Sequence, residues 1–167
     1  MEEDRLRINH SELQKRVLPL LIGRVFHVTS ANAFSSILLD RTIKTNETGM
    51  YPFSYGQSEN SFFRKRGCVS VCDLRNISDA EINTALMKYN FLNPCFGKDA
   101  NIYLFIKSDC HNLLVSWKKW HDEKAYTEMV VPHIEAGYPG DVDLNLIEMA
   151  LHVKVEYSTS HNGQSEG

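Results

Sequence analysis

The segment that most constrains this chain is Arg24-Val25-Phe26-His27-Val28-Thr29-Ser30, which runs without a break into Ala31-Asn32-Ala33-Phe34-Ser35-Ser36-Ile37-Leu38. β-branched and aromatic residues favour extended backbone, so 24–29 reads as a strand. Ser30 can accept from the orphan amides of a first helical turn, so a helix over 31–39 starts there. Its Ala33, Phe34, Ile37 and Leu38 fall on one face. On a strand His27 and Thr29 point to the same side. They do so where a helix N-terminus offers backbone donors to a negatively charged ligand.

Other elements can be read from pattern and punctuation. Residues 8–22 read as an opening helix, with Asn9 or Ser11 as cap, Leu13, Val17, Leu18, Leu20 and Leu21 as its apolar face, and Gly23 as its stop. Thr42-Ile43-Lys44 is a short extended piece, and 45–62 is a long loop of the kind that serves as a lid or binding loop. A second strand is expected over 67–73. A helix over 79–88 is marked by Ser78 and Glu81 as a capping box. Residues 90–100 are loop, 101–107 a buried strand, and 109–113 a short helix. Residues 125–131 read as a strand, 132–141 as a turn region with Pro132, Gly137, Pro139 and Gly140, and 147–155 as a last strand. Helices interspersed irregularly with strands give an α+β fold with a mixed or antiparallel sheet. One domain is expected over 1–156, with a polar tail over 157–167.

Composition excludes some functions. A net charge of −3 argues against a protein that coats nucleic acid non-specifically, though not against a local basic groove. No apolar run reaches the roughly 18 residues of a membrane span, and the charged start lacks a signal peptide's apolar core, so a cytoplasmic protein is the expectation. Cys68, Cys72, Cys95 and Cys110 lack the paired tight spacing of a zinc site, and no metal is expected; reduced core cysteines are the better reading. P-loop, dinucleotide-fold and nucleophile-elbow glycine patterns are absent.

Three segments can carry chemistry. In Tyr126-Thr127-Glu128-Met129-Val130-Val131-Pro132, Glu128 is either a solvated edge-strand carboxylate or an acid held at the mouth of a cleft. Arg64-Lys65-Arg66 is either a solvated face or a diphosphate clamp, since arginine's fork matches two oxygens. Trp117 and Trp120 are either packing residues or a base-stacking platform.

Taken in order, the His27-Val28-Thr29 strand with its helix, the basic turn entering Val69-Ser70-Val71, and the Glu128 strand resemble the NAD-dependent ADP-ribosyltransferase superfamily. The nearest likeness is to the DarT-like DNA ADP-ribosyltransferase toxins. The Pro139-Gly140-Asp141-Val142 turn and the strand after Leu146 also resemble the segment just C-terminal to the glutamate in that superfamily. The resemblance implies an ADP-ribosyltransferase-like split antiparallel or mixed sheet flanked by short helices, with NAD as co-substrate. It implies that His27 contacts the nicotinamide ribose with Thr29 beside it, Arg64 or Arg66 holds the diphosphate, Ser70 lines the nicotinamide pocket, and Glu128 is the catalytic carboxylate. It implies a macromolecular acceptor, with a nucleic-acid base such as one in single-stranded DNA favoured, and a toxin or phage-defence role with an antitoxin as partner. Two positions depart from the pattern: Arg41 stands where a glycine is common, and Val69-Ser70-Val71-Cys72 replaces an aromatic-rich strand. The chain is also short for such a protein, which implies a missing or reduced substrate-recognition element. An RNA 2'-phosphotransferase and a non-catalytic binding module are the alternatives.

Overall fold

A computed structural model describes residues 1–52, 58–94, 98 and 100–157. Cys95 and most of the tail expected over 157–167 lie outside the described residues. The elements are β1 (Glu2–Asn9), α1 (Leu13–Arg16), α2 (Leu18–Leu21), β2 (Val25–Thr29), α3 (Ala31–Asp40), β3 (Thr42–Ile43) and β4 (Cys68–Asp73). They continue with α4 (Asp79–Lys88), β5 (Ala100–Ile106), β6 (Val115–Ser116), α5 (Lys118–Asp122), β7 (Glu135–Pro139), β8 (Val142–Asp143) and β9 (Ile147–Glu156). Short 3-10 segments cover His10–Glu12, Ser58–Asn60, Arg64–Arg66, Ser108–Leu113 and Leu144–Leu146. The fold is α+β around a seven-stranded mixed sheet of order β1-β9-β5-β2-β4-β7-β6; β3 and β8 form a separate two-stranded ladder. Among the described strands only β1 and β9 pair in parallel.

The sheet is buried on both sides, so its central strands are apolar at nearly every position. On one face Phe26, Val28, Cys72, Tyr103, Phe105, Leu151 and Val153 meet α1, α2 and α4 through Leu13, Val17, Leu21, Ile82 and Ala85. On the other, Val25, Val69, Val71, Ile102, Leu104 and Ala150 meet α3 through Phe34 and Ile37, and β3 and β8 through Ile43 and Val142. Asn101, buried at 1 %, donates to the carbonyls of Phe91 and Asn93, and the Tyr103 hydroxyl donates to Phe91, so the turn after α4 is pinned to β5.

The sequence-based elements hold over β2, α3, β4, α4, β5 and β9, and both helix starts are capped as expected. The Ser30 hydroxyl accepts from Ala33 N–H, and Ser78 with Glu81 forms a reciprocal capping box. Arg41 closes α3 at φ +56°, so it adopts the left-handed conformation that a glycine takes without strain.

Three expectations are corrected. Residues 8–22 are not one helix. The chain is a strand through Asn9, aligned with β9 over eight pairs, and then two single-turn helices. Pro19, which has no N–H for the carbonyl four residues back, sits in the first turn of α2 and breaks the run. Residues 125–131 are not a strand: Met129 alone forms a bridge, with Ser61, and Glu128 N–H closes a turn on Ala125. They do not pair with β7, the strand that follows them, because β4 and β6 already flank it. Residues 132–141 are not all turn, since Glu135–Pro139 is β7 itself. Gly137, which suggested a turn, is there for space: a Cβ at this position would lie 2.3 Å from Phe63 Cδ1.

That contact docks a third, smaller cluster. Phe62, Phe63 and Cys68 are buried with Val115, Trp120, Ala125 and Val130 around them, forming a satellite layer over the end of the sheet.

Candidate functional site

The central ladder parts beside His27. β2 and β4 share only two register pairs, Val25↔Asp73 and Phe26↔Cys72, while β2 stays paired with β5 through Thr29. His27 spans the parting: its Nδ1 lies 2.9 Å from the Ser70 carbonyl oxygen. A carbonyl can only accept, so Nδ1 carries the proton. Burial pulls the His27 pKa below its usual value, against the opposing pull of the Ser70 carbonyl. The ring is therefore neutral near pH 7, and Nε2 is an acceptor for a hydroxyl. Thr29 lies two residues along on the same side, buried, facing Ile102 across the ladder. The α3 helix begins immediately beyond it.

Glu128 and the basic turn belong to the satellite layer. Arg66 Nη1 donates to Glu128 Oε2 at 2.6 Å and to the Phe62 carbonyl at 2.9 Å, while its Nε and Nη2 both reach Glu123 Oε2. Its guanidinium carbon stands 3.5 Å from the Phe62 ring centroid, a close cation–π contact. Lys65 Nζ lies 3.8 Å from Glu128 Oε1. Trp120 Nε1 donates to the Glu128 carbonyl at 3.0 Å, which fixes the backbone at the acid. Arg64 turns the other way. Its Nη1 donates to the Asn46 and Glu47 carbonyls and its Nη2 to that of Glu59, stapling the long loop to the basic turn.

The predicted residues thus separate into two groups: His27 and Thr29 share one face of β2, and Ser70 meets His27 through its carbonyl while its side chain lies on the opposite, Cys72 face, whereas Arg66 pairs with Glu128 in the satellite layer. Among the described residues no hydrogen bond or ion pair joins Glu128 to His27, Thr29 or Ser70. The groups connect through packing: Ser70 pairs with Gly137, Gly137 seats Phe63, and the neighbouring Phe62 holds Arg66.

Trp117 and Trp120 also separate. Trp120 packs into the satellite cluster, whereas Trp117 packs at a tilt against His133 with ring centroids 4.7 Å apart. Trp117 and His133 line a cleft of about 150 Å³ with Asp73, Arg75, Ser116 and Glu135. Arg75 grips Asp73 through two bonds of 2.9 and 2.7 Å. Burial raises the Asp73 pKa, but that guanidinium outweighs it and holds the carboxyl below its usual range. His133 Nδ1 lies 2.9 Å from Glu81 Oε1. None of His27, Arg66 or Glu128 lines this cleft.

Sequence reasoning missed Glu135. Its Oε2 accepts from Val131 N–H at 2.7 Å, and burial pushes its pKa up to about 7, against the lowering effect of that amide and of the Ser70 hydroxyl. A lone Glu inside an expected turn gave no signal. Its surroundings exist only once β7 pairs with β4.

Among the described residues no three His, Cys, Asp or Glu gather to hold a metal ion, and Cys68, Cys72 and Cys110 are free and buried. No described helix is long and apolar enough to cross a membrane. No protein-family model, curated protein or solved structure matches the chain.

Proposed function

We propose that this chain is an NAD-dependent mono-ADP-ribosyltransferase acting on a macromolecular acceptor, a nucleic-acid base in the first instance. The observation that carries the reading is the parting of β2 from β4 with His27 across it. It supports the split sheet that the resemblance implies. It leaves a neutral imidazole whose Nε2 can accept from a ribose hydroxyl.

In this reading NAD lies along the parted strands, with Thr29 and the Ser70 carbonyl beside its nicotinamide end and its diphosphate towards Arg66. Breaking the nicotinamide–ribose bond sends the electron pair out with nicotinamide and leaves an oxocarbenium-like carbon. A fixed carboxylate stabilises that charge as it forms, the role assigned to Glu128. The acceptor nitrogen or oxygen then bonds to the carbon, and its proton passes to the Glu128 carboxylate. Arg66 is bound to Glu128, and in this reading a diphosphate would draw the guanidinium to itself and release the acid. A transferase of this kind suits a toxin or phage-defence effector restrained by an antitoxin.

A second reading is favoured by one observation: the guanidinium of Arg66 is closed on Glu123, Glu128 and Phe62, as in a binding module whose polar groups serve structure. Incubation with labelled NAD and separate DNA, RNA and protein fractions decides between them. Label in one fraction supports the transferase. Absence of both label and nicotinamide release supports the binding module.

A further inference from the structure

We propose that Glu135 is a positioning residue of this site, its carboxyl tying the turn just beyond Glu128 to the Ser70 segment that holds His27. Glu135 opens β7 opposite Cys72, and Ser70 is opposite Gly137, so Glu135 and Ser70 share a face of the sheet one diagonal step apart. Glu135 N–H donates to the Val131 carbonyl at 2.9 Å while its carboxyl accepts from Val131 N–H, closing the turn from both ends. Val131 is three residues beyond Glu128. On the other side, Ser70 stands one diagonal step from Glu135 on the same face of the sheet, and the Ser70 carbonyl holds His27. One carboxyl therefore holds the backbone just beyond Glu128 and stands beside the Ser70 segment that carries His27.

The groups around Glu135 do not neutralise it. Across the ladder stand the Cys72 thiol, pushed up by burial and the nearby carboxylates, and Asp73, which Arg75 already holds. On its own turn His133 is directed to Glu81 of α4 and packed at a tilt against Trp117. Among the described residues Glu135 has no ion pair. Burial without a cation favours the neutral acid, so the carboxyl ionises near pH 7 rather than near its ordinary value. Ionisation strengthens its bonds from Val131 N–H and the Ser70 hydroxyl, because charge-assisted bonds are shorter and stronger. The geometry around His27 thus responds to a proton that His27 does not carry.

Titration of the unliganded full chain by NMR tests this. It rests on the transferase reading only in treating His27 as the group to be held. The Glu135 side-chain carboxyl carbon, the Ser70 and Val131 amides and the His27 imidazole should share one inflection near pH 7. Glu135→Gln keeps an oxygen for Val131 N–H but cannot ionise, and should abolish the inflection at Ser70, Val131 and His27. A Glu135 carbon that titrates below pH 5 in the wild-type chain overturns the proposal without needing any variant to fold. So does an inflection at Ser70 and His27 that survives in Glu135→Gln. In a parallel assay, nicotinamide release by the wild type should change with the same midpoint. If nicotinamide is never released while the shared inflection is present, the transferase reading fails and the positioning role of Glu135 stands.

Discussion

Arg66 holds Glu128 at 2.6 Å while its guanidinium carbon stands 3.5 Å from the centroid of the Phe62 ring, so one guanidinium joins the proposed acid to the satellite core. The acid is one-fifth and the arginine about one-quarter exposed. A pair at that depth stabilises modestly, on the order of 1 kcal/mol or less. Glu128→Gln keeps a hydrogen-bond acceptor for Arg66 and should leave the melting temperature within a few degrees of wild type. Nicotinamide release should fall by about 100-fold or more, the usual loss when a fixed transition-state contact is removed. Release at the wild-type rate from a folded Glu128→Gln variant would remove Glu128 from the mechanism.

NAD should raise the melting temperature of the wild-type chain. A ligand that binds only the folded state stabilises it by about 2.7 kcal/mol at a hundredfold excess over Kd. His27→Ala removes the imidazole that spans the parted strands but touches neither Arg66 nor Glu128. The variant should therefore fold and lose most of the NAD-induced shift. Differential scanning fluorimetry with and without millimolar NAD measures both. An undiminished shift in His27→Ala would place the dinucleotide elsewhere.

Local signals made much of the first group legible. The run from Val25 to Thr29 is strand-forming, Ser30 caps the adjoining helix, and the side of the strand carrying His27 is set by alternation alone. The second group depends on distant partners. Val130 and Val131 look like strand residues, yet the strand that follows them, β7, is already flanked by β4 and β6, and Gly137 looks like a turn residue until Phe63 occupies the space its missing side chain leaves. β1 was illegible for the same reason. Its sequence Glu-Glu-Asp-Arg-Leu-Arg-Ile-Asn buries only Ile8 fully, and its extended form comes from pairing with β9 at the far end of the chain. Sequence could nominate Glu128 and Arg66 but not show that they bind one another.

The Phe63–Gly137 contact gives a packing prediction. The backbone of Gly137 is ordinary for a strand, so Gly137→Ala tests space rather than conformation. The added methyl meets Phe63 and the Cβ of Cys68, both buried, and neither can move into solvent. Overpacking of this kind typically costs about 1–3 kcal/mol. Denaturant unfolding should show that loss, and Phe63→Leu in the same chain should recover part of it. Additive losses in the double variant would show that the two residues do not compete for one space.

Glu135 predicts an unusual dependence of stability on pH. Its folded-state pKa is raised to about 7 from an ordinary value of 4.5. Between these values the folded chain binds more protons than the unfolded chain, so stability falls as pH rises. The contribution is fully present below the unfolded value and lost by the time pH has passed the folded one. A gap of that size corresponds to roughly 3 kcal/mol at most, at about 1.4 kcal/mol per pH unit. Glu135→Gln cannot ionise and should be free of this loss. Relative to wild type it should gain stability from pH 5 to pH 8, with the difference levelling off above pH 8. Urea unfolding of both chains at pH 5, 6.5 and 8 measures the trend. A constant difference across that range would mean that Glu135 is ionised throughout, and that the buried carboxyl is stabilised by groups beyond Val131 and Ser70.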